Sequence, residues 1–274
     1  MKLSLGFSTC PNDTFIFDAM IHHKIDTEGL TFEVVMEDVE ALNDKAFKQE
    51  LDITKLSYHA FCYLTDHYRL MNAGSALGRG NGPLLISHKE QVDLQNGVVA
   101  IPGKYTTANL LLTVAYPQIQ HKKELLFSDI EQSLLEDQIE AGTIIHENRF
   151  TYSERGLHKI ADLGALWESR SGHAIPLGGI VTKREFPLEL QKKIDRVMAR
   201  SVQYAFDNPT ESVAFMKQHA QEMELEVMKK HIALYVNQFT KDLGEEGKTA
   251  ILFLFEEAKR VGLINTYQED YLIS

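Results

Sequence analysis

Three short stretches of the chain place polar and ionisable side chains where a predicted strand ends. The first runs from Ser8 to Phe15, joins a strand to a helix, and contains Pro11, Asn12, Asp13 and Thr14. Pro11 fixes the turn, and the next three side chains can either cap the helix or face a ligand. Because free N–H groups at a helix start attract anions, this stretch predicts either an ordinary capped connection or a small-molecule site.

The second stretch, Pro102 to Ala108, also follows a predicted strand and opens a helix. Thr106 and Thr107 would present hydroxyls and N–H groups at the positive end of the helix dipole. Such a set of donors suits a carboxylate. Plain N-capping is the alternative, although a cap needs only one hydroxyl.

The third stretch ends in His146, after the strand-like residues Thr143 to Ile145. Carboxyl ends of strands in an open α/β sheet face the ligand crevice, so His146 is the best general-base candidate among eleven histidines. An imidazole that only caps the strand through a satisfied hydrogen bond is the alternative. Arg149, in the loop that follows, could fold over a ligand or simply lie on the surface.

Two further segments could supply cations to the same crevice. Lys55, Leu56 and Ser57 end another strand and open a helix, where they offer an ammonium group and a hydroxyl. Arg79 lies between two glycines and could bind an anion, although a solvated surface position is the simpler interpretation. Cys10 is predicted to be a wall residue, because no histidine lies near it in sequence to activate it.

Composition excludes several functional classes. The 28 Lys and Arg against 39 Asp and Glu give a net charge of −11, and no basic cluster stands out, so a nucleic-acid partner is not expected. No apolar run approaches the roughly 20 residues of a membrane span, and the N-terminus lacks a signal-peptide core, which predicts a cytoplasmic protein. The two cysteines have no metal-ligand spacing, and dinucleotide and phosphate-loop motifs are missing, so neither a metal nor a cofactor is expected.

Alternating strand and helix signals predict an α/β fold with two domains and a ligand cleft between them. A larger discontinuous domain would comprise residues 1–88 and 178–274, and a smaller inserted domain residues 89–177. Helical periodicity is predicted over 157–169 and through most of the chain after Pro187. The similar Gly/Pro-led apolar segments 82–89 and 175–183 predict that the chain leaves and re-enters the larger domain through paired strands.

The motifs Ser8 to Phe17, Pro102 to Ala108 and Ile144 to Glu147 together resemble the 1,4-dihydroxy-6-naphthoate synthase family of the futalosine route to menaquinone. Their order and spacing match over essentially the whole chain. Thr9 is a departure, because the family commonly has proline there. The related chorismate dehydratase family shares the fold but lacks the Cys-Pro-Asn-Asp core of the first motif.

The resemblance implies a fold like the class II periplasmic binding proteins, used here as a cytoplasmic enzyme. It implies a carbon–carbon lyase that converts cyclic dehypoxanthine futalosine to 1,4-dihydroxy-6-naphthoate without a cofactor. The family's histidine base falls on His146, and its substrate-contacting segments fall on Lys55 to Ser57 and on Thr106 with Thr107. Two alternatives stay open: a non-catalytic binding protein for a carboxylated small molecule, and a chorismate dehydratase. The expected partner is a small-molecule carboxylate, and the chain could be a monomer or a homodimer.

Overall fold

The computed structural model describes residues 1–145, 149–219 and 224–273, which form two mixed β-sheets flanked by helices. The strands are β1 (Lys2–Phe7), β2 (Thr31–Met36), β3 (Ile53–Ser57), β4 (Tyr68–Leu70), β5 (Ala76–Gly78), β6 (Leu84–Ser87), β7 (Val99–Ile101), β8 (Lys122–Glu124), β9 (Ala141–Ile144), β10 (His158–Asp162) and β11 (Ile175–Lys183). The helices are α1 (Pro11–Ile21), α2 (Val39–Phe47), α3 (Tyr58–Leu64), α4 (Thr107–Ala115), α5 (Ile130–Leu135), α6 (Leu163–Ser171), α7 (Leu188–Asp207), α8 (Val213–His219), α9 (Leu225–Tyr235), α10 (Gln238–Lys241) and α11 (Gly244–Arg260).

The first sheet has the strand order β2-β1-β3-β11-β4, with β5 also paired to β11. Strands β1, β2 and β3 run parallel because the helical connections α1 and α2 return the chain to the same end each time. The carboxyl ends of β1 and β3 therefore lie side by side. This arrangement brings the segment after Phe7 next to Lys55 and Ser57.

The second sheet has the order β10-β6-β9-β7-β8. Strand β7 is parallel to both β8 and β9, so β7 and β9 end at the same edge. The loop before α4 leaves that edge after Ile101, and the chain leaves it again after Ile144. Thr106 and Ile145 therefore lie near each other at this edge although they are far apart in the sequence.

The predicted helix over 157–169 is wrong in its first half. Residues His158–Asp162 form β10, which pairs antiparallel with β6 and completes one edge of the second sheet. Helix α6 begins only at Leu163, because Asp162 Oδ1 accepts the N–H of Ala165 at 2.9 Å and caps it. An Asp side chain at the N-cap position marks the start of a helix, and the spacing of apolar residues alone does not reveal it.

The predicted pairing of segments 82–89 and 175–183 is also wrong. Strand β11 pairs with β5 in the first sheet, whereas β6 pairs with β9 and β10 in the second. We call residues 79–83, which carry the chain from β5 to β6, the crossover segment. The division into two domains, with its boundary at residue 88, stays a prediction. Strand β6, which lies before that boundary, pairs within the second sheet.

Helix α1 is buried on all sides, since every residue from Pro11 to Met20 is buried. It packs against α7, α8 and α9, so the C-terminal helices cover the first sheet. One apolar cluster contains residues of both sheets, such as Leu56 and Leu85, and joins the two layers into one core. None of the described helices is both long and apolar enough to cross a membrane.

Candidate active site

A cavity lies where the strand ends of the two sheets face each other. It encloses about 600 Å³, its open mouth included. The first sheet, helices α1, α2, α4 and α9, the crossover segment and the residues that flank strands of the second sheet contribute to its wall. The lining residues are Asn12, Val39, Lys55, Ser57, Ala76, Asn81, Pro83, Thr106, Thr107, Ala108, Ile145, Leu177, Gly178, His231 and Tyr235. Apolar side chains with a few polar groups at fixed positions are typical of a small-molecule site.

Lys55 reaches the cavity as one half of a buried ion pair. Its Nζ lies 2.5 Å from Asp13 Oδ1 and 2.6 Å from Oδ2, and both side chains are at least nine-tenths buried. Asp13 also accepts hydrogen bonds from the N–H and hydroxyl of Ser8 and from the amide of Asn12. The carboxylate is therefore saturated by protein donors, and it holds Lys55 in place rather than binding a ligand.

The structure thus places only one of the three predicted ligand residues of the first motif at the cavity. Asn12 lines the cavity, whereas Asp13 lies behind Lys55 and does not. The Thr14 hydroxyl donates to the carbonyls of Cys10 and Pro11 within the first helical turn, so Thr14 also lies outside the cavity wall. Cys10 is the N-cap residue of α1 and is buried.

The start of α4 faces the cavity with backbone donors. The Thr106 hydroxyl donates to the carbonyl of Gly103 at 2.8 Å, and that of Thr107 donates to the carbonyl of Leu177 at 2.7 Å. The N–H groups of Thr107 and Ala108 lie in the first turn, and no described residue accepts a hydrogen bond from either. These N–H groups, rather than the predicted hydroxyls, are the donors available to an anion.

His59 of α3 supports this helix start from behind. Its Nδ1 lies 3.1 Å from the carbonyl oxygen of Thr106, which can only accept, so Nδ1 carries the proton. The backbone N–H of His59 donates to the Thr107 hydroxyl at 3.4 Å. Burial lowers the pKa of His59 to about 4, because desolvation disfavours the charged ring. His59 is therefore neutral near pH 7.

Ser57 is positioned by a second buried polar group. Its N–H donates to Asn43 Oδ1 at 3.0 Å, and the Asn43 amide in turn donates to Glu40 at 2.8 Å. Glu40 also accepts the N–H of Tyr105 at 2.8 Å, which ties α2 of the first sheet to the loop before α4. Burial raises the pKa of Glu40 above its usual range, opposed by these two hydrogen bonds.

Three other predicted ligand residues lie away from the cavity wall. Leu56 is fully buried in the core shared by the two sheets, because alternate residues of β3 face opposite sides. Arg79 is on the surface, where it pairs with Glu246 at 3.0 Å and half of each side chain is exposed. Arg149 donates to the carbonyl of Gly82 at 2.8 Å and thereby fastens the crossover segment.

His146 lies outside the described residues. Ile145, which precedes it in the chain, is part of the cavity wall. Among the described residues, no group of three or more His, Cys, Asp or Glu side chains could hold a metal ion.

Sequence reasoning missed three polar wall residues: Asn81, His231 and Tyr235. Asn81 is 1% exposed and lies in the crossover segment. His231 is also 1% exposed, and its ring lies 4.6 Å from that of Tyr235 in α9. No local signal identifies His231 and Tyr235, because helix α9 reaches the cavity only through its packing on α1 and β5.

Two named relatives match this chain along nearly its full length. A 1,4-dihydroxy-6-naphthoate synthase from Thermus thermophilus is 44% identical over 261 residues, which cover 95% of each protein. One of the same name from Streptomyces coelicolor is 38% identical and covers 98% of this chain and 97% of its own.

Two solved structures show which fold the chain has. A crystal structure of a protein from Archaeoglobus fulgidus superposes with a TM-score of 0.91 at 36% identity, over 96% of this chain and 98% of the other. The periplasmic aliphatic sulphonate binding protein of Escherichia coli superposes with a TM-score of 0.67 at only 9% identity, over 98% and 90% of the two chains. The fold is therefore that of the periplasmic binding proteins, as predicted.

The model of a protein family described as menaquinone biosynthesis matches residues 3–260. Together with the identities above, this match confirms the resemblance recognised in the three motifs. The chain belongs to the menaquinone-biosynthesis family that includes the 1,4-dihydroxy-6-naphthoate synthases.

Proposed function

We propose that this protein is a carbon–carbon lyase that converts cyclic dehypoxanthine futalosine to 1,4-dihydroxy-6-naphthoate. The observation that carries the proposal is a cavity with donors for a carboxylate, in a chain 44% identical to a synthase named for that carboxylated product. The N–H groups of Thr107 and Ala108 would bind the substrate carboxylate at the positive end of α4. Lys55 would add a positive charge fixed in position by Asp13.

His146 is the proposed general base. It would remove a proton from the substrate, the bond between the carbocycle and the sugar carbon would break, and the new aromatic ring would supply the driving force. Support for this role comes from the sequence motif and from the position of its neighbour Ile145 in the cavity wall. A cytoplasmic location stays a prediction from the sequence.

Incubation of the purified protein with cyclic dehypoxanthine futalosine tests the proposal directly. We expect 1,4-dihydroxy-6-naphthoate to be formed, as detected by mass spectrometry. His146→Ala should lower kcat by roughly 10²- to 10⁴-fold, which is the usual contribution of a general base. The matched control is His121→Ala, which removes an exposed histidine and should leave kcat unchanged.

Other outcomes would select the alternatives. Binding of the cyclic compound without turnover would favour a non-catalytic binding protein. Formation of an enol ether from chorismate, with no naphthoate from the cyclic compound, would favour a chorismate dehydratase. Near-normal kcat in folded His146→Ala would overturn the assignment of the base alone.

A further inference from the structure

The crossover segment places a buried amide in the cavity wall. Asn81 is 1% exposed and lines the cavity together with Pro83. Neither Nδ2 nor Oδ1 of Asn81 has a hydrogen-bond partner among the described residues. Because buried side-chain amides are nearly always hydrogen-bonded in native proteins, an amide left unsatisfied at a cavity wall indicates a group reserved for a ligand.

The surroundings of Asn81 hold it in a defined place. Gly78 leaves room for it, since a Cβ at that position would come within 2.8 Å of Asn81 Nδ2 and 3.0 Å of Asn237 Nδ2. The following residue, Gly82, packs against the backbone of α6, and its carbonyl accepts a hydrogen bond from Arg149. The amide is therefore positioned before any ligand arrives.

The chemistry of an amide selects the kind of group that it can bind. Asn81 offers two N–H donors and a carbonyl acceptor. A carboxylate would use only the donors and would leave Oδ1 buried and unpaired. A hydroxyl group can accept from Nδ2 and donate to Oδ1, so one or two hydroxyls satisfy the whole side chain.

The other polar part of the wall has the opposite preference. The N–H groups of Thr107 and Ala108 and the ammonium group of Lys55 are donors only, which suits an anion. A ligand with a carboxylate and a hydroxylated part would therefore bind in one orientation.

We infer that Asn81 binds the hydroxyl groups of the sugar-derived part of the substrate, while the carboxylate lies at the start of α4. This inference rests on the proposed function and specifies how the same site orients its substrate. The sugar-derived part is the fragment that leaves. Asn81 is thus a substrate-binding residue that positions the breaking bond.

The kinetics of Asn81→Leu test this role, because leucine keeps the number and branching of the side-chain heavy atoms of asparagine and removes both donor and acceptor. For cyclic dehypoxanthine futalosine we expect kcat/KM to fall about 10- to 100-fold, as for the loss of one or two hydrogen bonds. The Kd of 1,4-dihydroxy-6-naphthoate, which lacks the sugar-derived part, should change less than threefold. Equal losses for both compounds would mean general damage to the cavity and would overturn the inference.

A second measurement separates substrate binding from a structural role. In the absence of ligand, Asn81→Leu should have a Tm equal to or above that of the wild type, because it removes an unsatisfied buried amide. Asn43→Leu is the matched control: Asn43 is also fully buried, but it is hydrogen-bonded to Ser57 and Glu40, so its loss should lower the Tm. A lower Tm in both variants would make Asn81 structural and would overturn the inference.

The outcomes also distinguish this inference from the proposed function. If wild-type protein forms naphthoate and Asn81→Leu does so with unchanged kcat/KM, the role of Asn81 is wrong and the function stands. If wild-type protein forms none, the function fails and the substrate assigned to Asn81 fails with it.

Discussion

The two polar regions of the cavity wall differ in how their side chains are satisfied. Around Lys55, at the ends of β1 and β3, the charged groups are paired inside the protein, with Asp13 accepting from Lys55, Ser8 and Asn12. In the crossover segment, Asn81 is just as buried but has no partner among the described residues.

The paired charges of Lys55 and Asp13 contribute to the structure of the site, whereas the unpaired amide of Asn81 is available to a ligand. A buried charge must be paired in the ligand-free protein, because an unpaired one is too costly to bury. A neutral amide can be left unsatisfied at a smaller cost. The charged region can therefore be rigid before the ligand binds, whereas a neutral amide such as that of Asn81 can be left for the ligand to satisfy.

If the Lys55 region is built by its ion pair, breaking the pair should have the largest effect on stability. Lys55→Met leaves the Asp13 carboxylate buried without its counter-charge, and we expect a loss of about 3–5 kcal/mol in the free energy of unfolding. Urea denaturation monitored by circular dichroism measures it. The double variant Asp13→Asn with Lys55→Met should recover most of the loss. A loss below about 1 kcal/mol in the single variant would show that the pair does not hold this region.

The buried His59, which supports the start of α4, should make the stability of the protein sensitive to acid. His59 has a pKa of about 4 in the folded protein against 6.5 for an ordinary histidine. As the pH falls below 6.5, the unfolded chain takes up a proton that the folded protein does not. The free energy of unfolding should therefore decrease as the pH falls from 6.5 to 4. At about 1.4 kcal/mol per pH unit, the loss is about 3 kcal/mol.

Free energies of unfolding measured from pH 4 to pH 7 check this dependence. His59→Phe keeps a buried ring but cannot titrate, so its stability should vary much less over this range. His121→Phe alters an exposed histidine and should behave like the wild type. Parallel pH profiles for wild type and His59→Phe would contradict the assignment.

Glu40, which joins α2 to the loop before α4, should have a smaller effect on stability, with the opposite dependence on pH. The pKa of Glu40 in the folded protein is raised above the usual value of 4.5, so the unfolded chain loses its proton first as the pH rises. Stability contributed by this group therefore falls as the pH rises above 4.5. Glu40→Gln should remove that fall, as measured by unfolding at several pH values. A steeper fall in the variant would mean that the ionised carboxylate is the stabilising form.

The smallest effect is expected at Arg79, the first residue of the crossover segment. Half of its side chain is exposed, and its ion pair with Glu246 is solvated. Arg79→Gln should change the free energy of unfolding by less than about 0.5 kcal/mol and leave kcat/KM unchanged. A loss of kcat/KM above threefold would place Arg79 near the substrate after all.

Local patterns were sufficient for much of the fold. Apolar segments followed by caps predicted β1 with α1 and β7 with α4, because a strand and its helix are decided by neighbouring residues. The prediction failed at residues 158–162, where a short edge strand is defined by its pairing with β6 rather than by its own sequence.

Local sequence patterns were enough to predict five residues that line the cavity: Asn12, Lys55, Ser57, Thr106 and Thr107. The contacts that each polar group makes there depend on how distant segments pack together. Lys55 meets Asp13 across 42 positions, and Asn81 becomes buried because β5 and β6 join different sheets. Hydrogen-bond satisfaction depends on which groups are excluded from water together, and that is a property of packing between distant segments rather than of local sequence.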